Sequence, residues 1–164
     1  MIYKIRIILD AEEDIFRDIE IEDSNTLEDF HNAITQAFGF MGNEMASFYT
    51  CDDQWQQDEE IALFDMSEKG SDVRLMNETV LEDILTAQQP KMIYVYDFLS
   101  MWTFFVELAD ITEKEDGRTY PNLLFGFGEL PDAPPEKNFE SNPLVDFDDS
   151  IGNYDDLDFD ENWN

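Results

Sequence analysis

Residues 94–108, YVYDFLSMWTFFVEL, form the densest apolar run in a chain of 164 residues that carries 40 Asp and Glu against nine Lys and Arg. Such a run is a membrane span, a core or a site. A spanning helix needs about 20 apolar residues. Here MIYVYDFLSMWTFFV is shorter than that and is interrupted by Asp97. The apolar pattern instead has a period of two, the period of a strand. Ile93 and Val95 alternate with Tyr94, Tyr96 and Phe98; after the turn LSM, Trp102, Phe104, Val106 and Leu108 alternate with Thr103, Phe105 and Glu107. The stretch therefore reads as a β-hairpin that is apolar on both faces. Strands of that kind sit centrally in a sheet, commonly with helix on one side.

The flanking sequence supplies the rest of an α+β domain. IYKIRIIL (2–9) alternates with Lys4 and Arg6 on a wet face, and IFRDIEI (15–21) alternates again after the polar turn DAEED. The two read as a second hairpin. In TLEDFHNAITQAFGF, Leu27, Phe30, Ile34 and Ala37/Phe38 recur on one helical face. Thr26 and Asp29 have capping-box spacing, and Gly39 is a C-terminal stop. This predicts a main helix over about 27–38. SFYTC reads as a short strand ending at Cys51, DDQWQQDEEIALFD as an acidic loop or edge, and NETVLEDILTA as a short second helix at about 78–86. Beyond Asp110 the Pro- and Gly-bearing stretch TEKEDGRTYPNLLFGFGELPDAPPEK reads as irregular structure wrapping the domain. The expected architecture is one α+β domain over 1–137, with an antiparallel or mixed sheet built from two β-hairpins, followed by an acidic, aromatic-bearing tail at 138–164. The tail carries no Lys or Arg and interleaves acids with Tyr154, Phe159 and Trp163, which are expected to dock on the chain's own domain or on a partner.

Composition excludes several classes of function. Nucleic acids and anionic lipid surfaces are polyanions, and binding them requires clustered Lys and Arg. A formal net charge of −31 and scattered cations argue against both, and leave a basic protein as the expected partner. One cysteine, Cys51, allows no internal disulfide, and the N-terminal segment lacks a signal-peptide pattern, so a cytoplasmic location is expected.

Catalytic chemistry finds few parts. His31 is the only histidine and lies one residue off the apolar helix face, which favours a partly buried structural histidine. A Cys51–His31 dyad is available by count alone. No cofactor or metal is expected: one Cys and one His cannot make a zinc site. DFDDSIGNYDDL (146–157) departs from a calcium loop in its glycine position and by Leu157 where a bidentate Glu belongs. GFGEL (126–130) lacks the third glycine of a phosphate loop. Asp97 and Trp102 flank the hairpin turn, where they either make turn hydrogen bonds and pack, or line a pocket mouth.

The pieces IYKIRIIL, IFRDIEI, TLEDFHNAITQAFGF, LEDIL, YVYDFLSMW…VEL and YPNLLFGFGELPDAPPE occur in an order that resembles the plasmid pRiA-four-b ORF-three-like family, over about residues 2–136. Relatives of that family also travel as mobile-element passengers under a resolvase-like label. The matching residues are His31, Phe38, Gly39, Tyr94, Tyr96, Asp97, Phe98 and Trp102. Where the family commonly has Gly-Asp after YDF and a His after the Trp, this chain has Leu99, Ser100 and Phe104. Glu44 and Met45 replace a His-Leu pair, and no cysteine stands near Pro134, Pro135 and Glu136. A recombinase would need clustered arginines for DNA phosphates, and only Arg6, Arg17, Arg74 and Arg118 are available. The expectation is a non-enzymatic accessory protein engaging a basic partner. The alternative is a small-ligand or enzymatic pocket near His31, Tyr94, Tyr96, Asp97 and Trp102.

Overall fold

The computed structural model describes residues 1–64 and 73–134. The stretch at 91–112 does form two paired strands, here β6 (Lys91–Tyr96) and β7 (Trp102–Thr112), in antiparallel register with Tyr94 opposite Phe104. They lie in the middle of one open sheet. Its other strands are β1 (Ile2–Leu9), β2 (Phe16–Glu22), β3 (Ala46–Cys51), β4 (Gln57–Ala62), β5 (Arg74–Leu75) and β8 (Asn122–Phe127). The spatial order is β5-β4-β3-β6-β7-β1-β2-β8, antiparallel throughout except for the β4–β5 pair. Among the described residues the sheet is thus a single eight-stranded mixed sheet, larger than one built from two hairpins.

Helix α1 (Leu27–Phe38) has the bounds its sequence dictates. The Thr26 hydroxyl accepts from the Asp29 N–H at 3.2 Å, and the Asp29 carboxylate accepts from the Thr26 N–H at 3.0 Å, so two otherwise unpaired N–H groups are satisfied. Gly39, at φ 83°, ends the helix in the left-handed region and returns its N–H to Gln36 and Thr35. The apolar face is wider than a four-residue stripe: His31, Ala33 and Thr35 are also buried.

Helix α2 is shorter than expected, a single turn at Leu81–Ile84 preceded by a 3-10 turn at Met76–Glu78. Between them Thr79 and Val80 are extended. The Thr79 carbonyl accepts from the Leu27 N–H at 2.9 Å, and the Asn25 carbonyl accepts from the Leu81 N–H at 2.8 Å. The chain there is held against the start of α1, which prevents helix from propagating. A second correction concerns residues 122–127, which form the edge strand β8.

The main core lies between α1 and one face of the sheet. Phe30 stacks on Phe48 at 5.4 Å between centroids, Phe38 meets Phe104 at 4.7 Å, and Phe48 meets Tyr94 at 4.8 Å. Full burial of each such ring contributes about 1.5–3 kcal/mol. The opposite face of β6 carries a smaller cluster of Cys51, Ile93 and Val95, covered by Tyr49, Trp55 and Phe105. Both faces of the central hairpin are therefore occupied, which explains why neither side of its sequence is polar.

Candidate functional site

The residues singled out around the hairpin come together, and they are packed. His31 on α1 and Tyr94 on β6 are both buried, and His31 Nδ1 lies 2.6 Å from Tyr94 Oη. Desolvation lowers the His31 pKa to about 4, and burial raises that of the Tyr94 phenol well above its ordinary value. The pair is a neutral hydrogen bond in the core. Tyr96 stacks on Phe40 at 4.4 Å and its hydroxyl accepts from the Gly42 N–H at 3.0 Å. Trp102 meets the same Phe40 ring edge-on at 5.3 Å and is 7% exposed.

Asp97 organises the turn. Its backbone is at φ 64°, its N–H donates to Met45 O at 2.7 Å, and its carboxylate accepts from the N–H groups of Leu99 and Ser100 at 3.2 and 3.4 Å. Asx-turn bonds of this kind let Asp tolerate a left-handed conformation. Phe98, Leu99 and Met101 at the tip are exposed.

Cys51 lies on the sheet face opposite Tyr94, so the sheet separates it from His31 and the dyad does not exist. Burial pushes the Cys51 thiol up, away from a reactive thiolate. Among the described residues, no group of three or more His, Cys, Asp or Glu is placed to hold a metal ion. No helix among them is long and apolar enough to cross a membrane. Tyr154, Phe159, Trp163 and the calcium-loop-like stretch 146–157 lie outside the described residues.

Open clefts occur elsewhere among the described residues. One, of about 230 Å³, lies between α1 and the start of β8 and is lined by Ile19, Ala33, Gln36 and Ala37 on one side and by Pro121, Asn122 and Leu123 on the other. Another, of about 510 Å³, is lined by polar groups including Asp52, Asp58, Asp83 and Gln89. The first is not evident from the sequence, where Ala33 and Ala37 look like ordinary filler of a helix face. The alanine pair one turn apart, with Gln36 between, was the available signal.

Arg6 makes a bidentate pair with Asp18 at 2.8 and 2.9 Å. Arg118 and Lys4 reach the buried Glu20 at 2.9 and 3.8 Å, without a well-aligned hydrogen bond to Glu20 Oε1. Arg74 pairs with Glu59 and Lys114 with Glu22. Arg17 donates to the carbonyls of Phe16, Ala37 and Phe127 and lies over Phe38, while Lys91 donates to Asp53 O and lies over Trp55. Every Lys and Arg among the described residues is engaged within the domain.

An open mixed sheet with helix α1 packed on one face and an aromatic, packed central hairpin defines an α+β class of protein. Residues 1–138 match the family described as Plasmid pRiA4b ORF-3-like protein, and the chain belongs to that family. None of the curated proteins compared with it matches. Among solved structures it is similar to a protein of unknown function, MM3350 from Methanosarcina mazei Go1, with a TM-score of 0.67 and 21% identity. The likeness covers 76% of this chain and 68% of that one, and shows a shared fold.

Proposed function

We propose that this is a non-enzymatic accessory protein whose acidic surface engages a basic protein partner. The observation that supports the reading most strongly is the disposition of the cations. With the Lys and Arg of the described residues turned to internal pairs, carbonyls and rings, the field outside the domain is set by carboxylates. Such a field accelerates encounter with cationic surfaces and repels polyanions. The residues nearest to a catalytic constellation, His31, Tyr94, Tyr96 and Trp102, are buried in contact with one another or with Phe40, which leaves them serving the core.

The test is a pull-down with the full-length chain at low and at near-molar salt. Near 1 M the Debye length falls to about 3 Å, which removes long-range attraction between exposed charges. A basic protein captured at low salt and released at high salt is the expected result. Binding indifferent to salt would refute the reading.

A further inference from the structure

We propose that the outer edge of β8 and the cleft between β8 and α1 form a docking groove for an extended segment of the basic partner, which adds as a further strand beside β8. The inference rests on the function proposed above and gives it a place on the molecule. β8 ends the sheet, and β2 is its one strand partner among the described residues. Its outward row of backbone N–H and C=O groups therefore has no strand partner among the described residues. Proteins usually blunt such an edge with charge or proline inside the strand. From Asn122 to Phe127 there is neither; Pro121 stands just before the strand, and the pairing with β2 shifts register between Leu123 and Phe125. Leu123, Phe125 and Phe127 are each more than half exposed, and Phe125 and Phe127 extend a ring cluster begun by Phe16.

The cleft supplies what an edge alone lacks, a place for side chains. Alternate residues of an added strand face opposite sides of the sheet. On the helix side, such a residue near Leu123 meets the cleft lined by Ile19, Ala33 and Ala37, where two small side chains leave room for one aliphatic group. Backbone pairing for affinity and a pocket for alternate side chains are the two parts of strand-addition recognition.

Charge then selects the occupant. Beyond the C-terminal end of β8 stand Glu129 and Asp132, and Gly128 is so close to the 10–14 turn that a Cβ there would lie 2.7 Å from Asp14 O. Glu113, Glu115 and Asp116 precede the N-terminal end. The nearby cations are already used: Arg17 donates to Phe127 O, Arg118 pairs with Glu20 and Glu115, and Lys114 pairs with Glu22. A second copy would bring acidic ends against acidic ends in either strand direction. Residues 138–164 carry no Lys or Arg and face the same repulsion. A segment alternating aliphatic residues with Lys or Arg matches the edge, the cleft and the charge together.

The experiment is fluorescence anisotropy with the full-length chain and two labelled peptides of equal charge. One is a short peptide alternating Val and Lys; the other has its central Val replaced by Pro, which cannot donate to a ladder. The alternating peptide is expected to bind about tenfold more tightly than the Pro peptide. A Phe125→Gln/Phe127→Gln chain, altered at exposed positions without change of charge, is expected to lose about fivefold for the alternating peptide and nothing for the Pro peptide. Equal, salt-sensitive binding of both peptides would overturn the groove while leaving the acidic-surface reading standing. Binding of neither at low salt would overturn both. Displacement of the Val-Lys peptide by a synthetic peptide of residues 138–164 would overturn the assignment in favour of the chain's own tail. A dimer in sedimentation that the Gln substitutions dissolve would make a second copy the occupant, and would overturn it likewise.

Discussion

Tyr94 is fully buried, and its hydroxyl is matched by the ring of His31 at 2.6 Å. Removing one partner leaves a buried polar atom with no hydrogen bond, which costs about 1–3 kcal/mol, whereas replacing both by apolar groups is often close to neutral. Tyr94→Phe is therefore expected to lower the urea midpoint, and His31→Leu added to it to recover part of the loss. Equal and additive losses would show that the two groups do not depend on each other. The same pair sets a pH dependence. The folded pKa of His31, about 4, lies below the unfolded value of about 6.5, so the unfolded chain binds the extra proton between those two values. Stability from this group is fully present above about pH 6.5 and is lost as pH falls toward about 4, at roughly 1.4 kcal/mol per pH unit. Carboxylates titrate in the lower part of that window, so the comparison is with His31→Gln across the same pH series. The stability gap between the two chains should close as pH falls; a gap constant from pH 7 to 4 would show that His31 is not held neutral by burial.

At the scale of the element, α1 depends on two local devices whose contributions can be separated. Thr26→Ala removes the cap acceptor and is expected to cost about 1 kcal/mol. Gly39 stands at φ 83° with nothing within 4 Å of where a Cβ would lie, so Gly39→Ala pays for backbone conformation alone, about 1–2 kcal/mol. Gly39→Asn, which tolerates that region better, should cost less than Gly39→Ala in the same denaturation series. If Ala and Asn are equivalent there, the left-handed cap is not what ends the helix. These devices also explain why α1 was legible in the sequence to the residue: cap, period and stop are all local. α2 was legible only in part, because the carbonyls of Asn25 and Thr79 that interrupt it belong to or contact a distant turn. β8 was missed for a different reason. NLLFGF at the sheet's end has no buried-versus-wet alternation, and the Pro and Gly beside it read as loop. The candidate groove was illegible on the same grounds, since it exists only once β2 has placed β8 across from Ala33 and Ala37. The His31–Tyr94 contact, 63 residues apart in sequence, could be named as two candidates but not as a pair.

At the scale of the whole molecule, the same charge distribution that supports partner binding must act on folding itself. A chain of net charge −31 repels itself when compact, and added salt screens that repulsion. Salt also weakens the exposed pairs such as Arg6–Asp18 and Arg74–Glu59, but pairs of this kind contribute only about 0–1 kcal/mol each. With 40 acids against nine bases, repulsive contacts outnumber attractive ones, so the repulsive contribution decides the sign. The thermal midpoint of the full-length chain is accordingly expected to rise as sodium chloride is raised from about 0.01 M, where the Debye length is about 30 Å, to about 1 M, where it is about 3 Å. Sulfate also strengthens apolar burial, so chloride is the salt that isolates the electrostatic effect. A midpoint that falls with chloride would mean that the ion pairs, chiefly the buried Glu20 with Arg118 and Lys4, outweigh the long-range repulsion. The acidic surface would then be locally compensated, and its attraction for a basic partner correspondingly weak. A rising midpoint would show that the unneutralised carboxylates are close enough to strain the fold, which is the condition under which a cationic strand laid along β8 stabilises the protein that receives it.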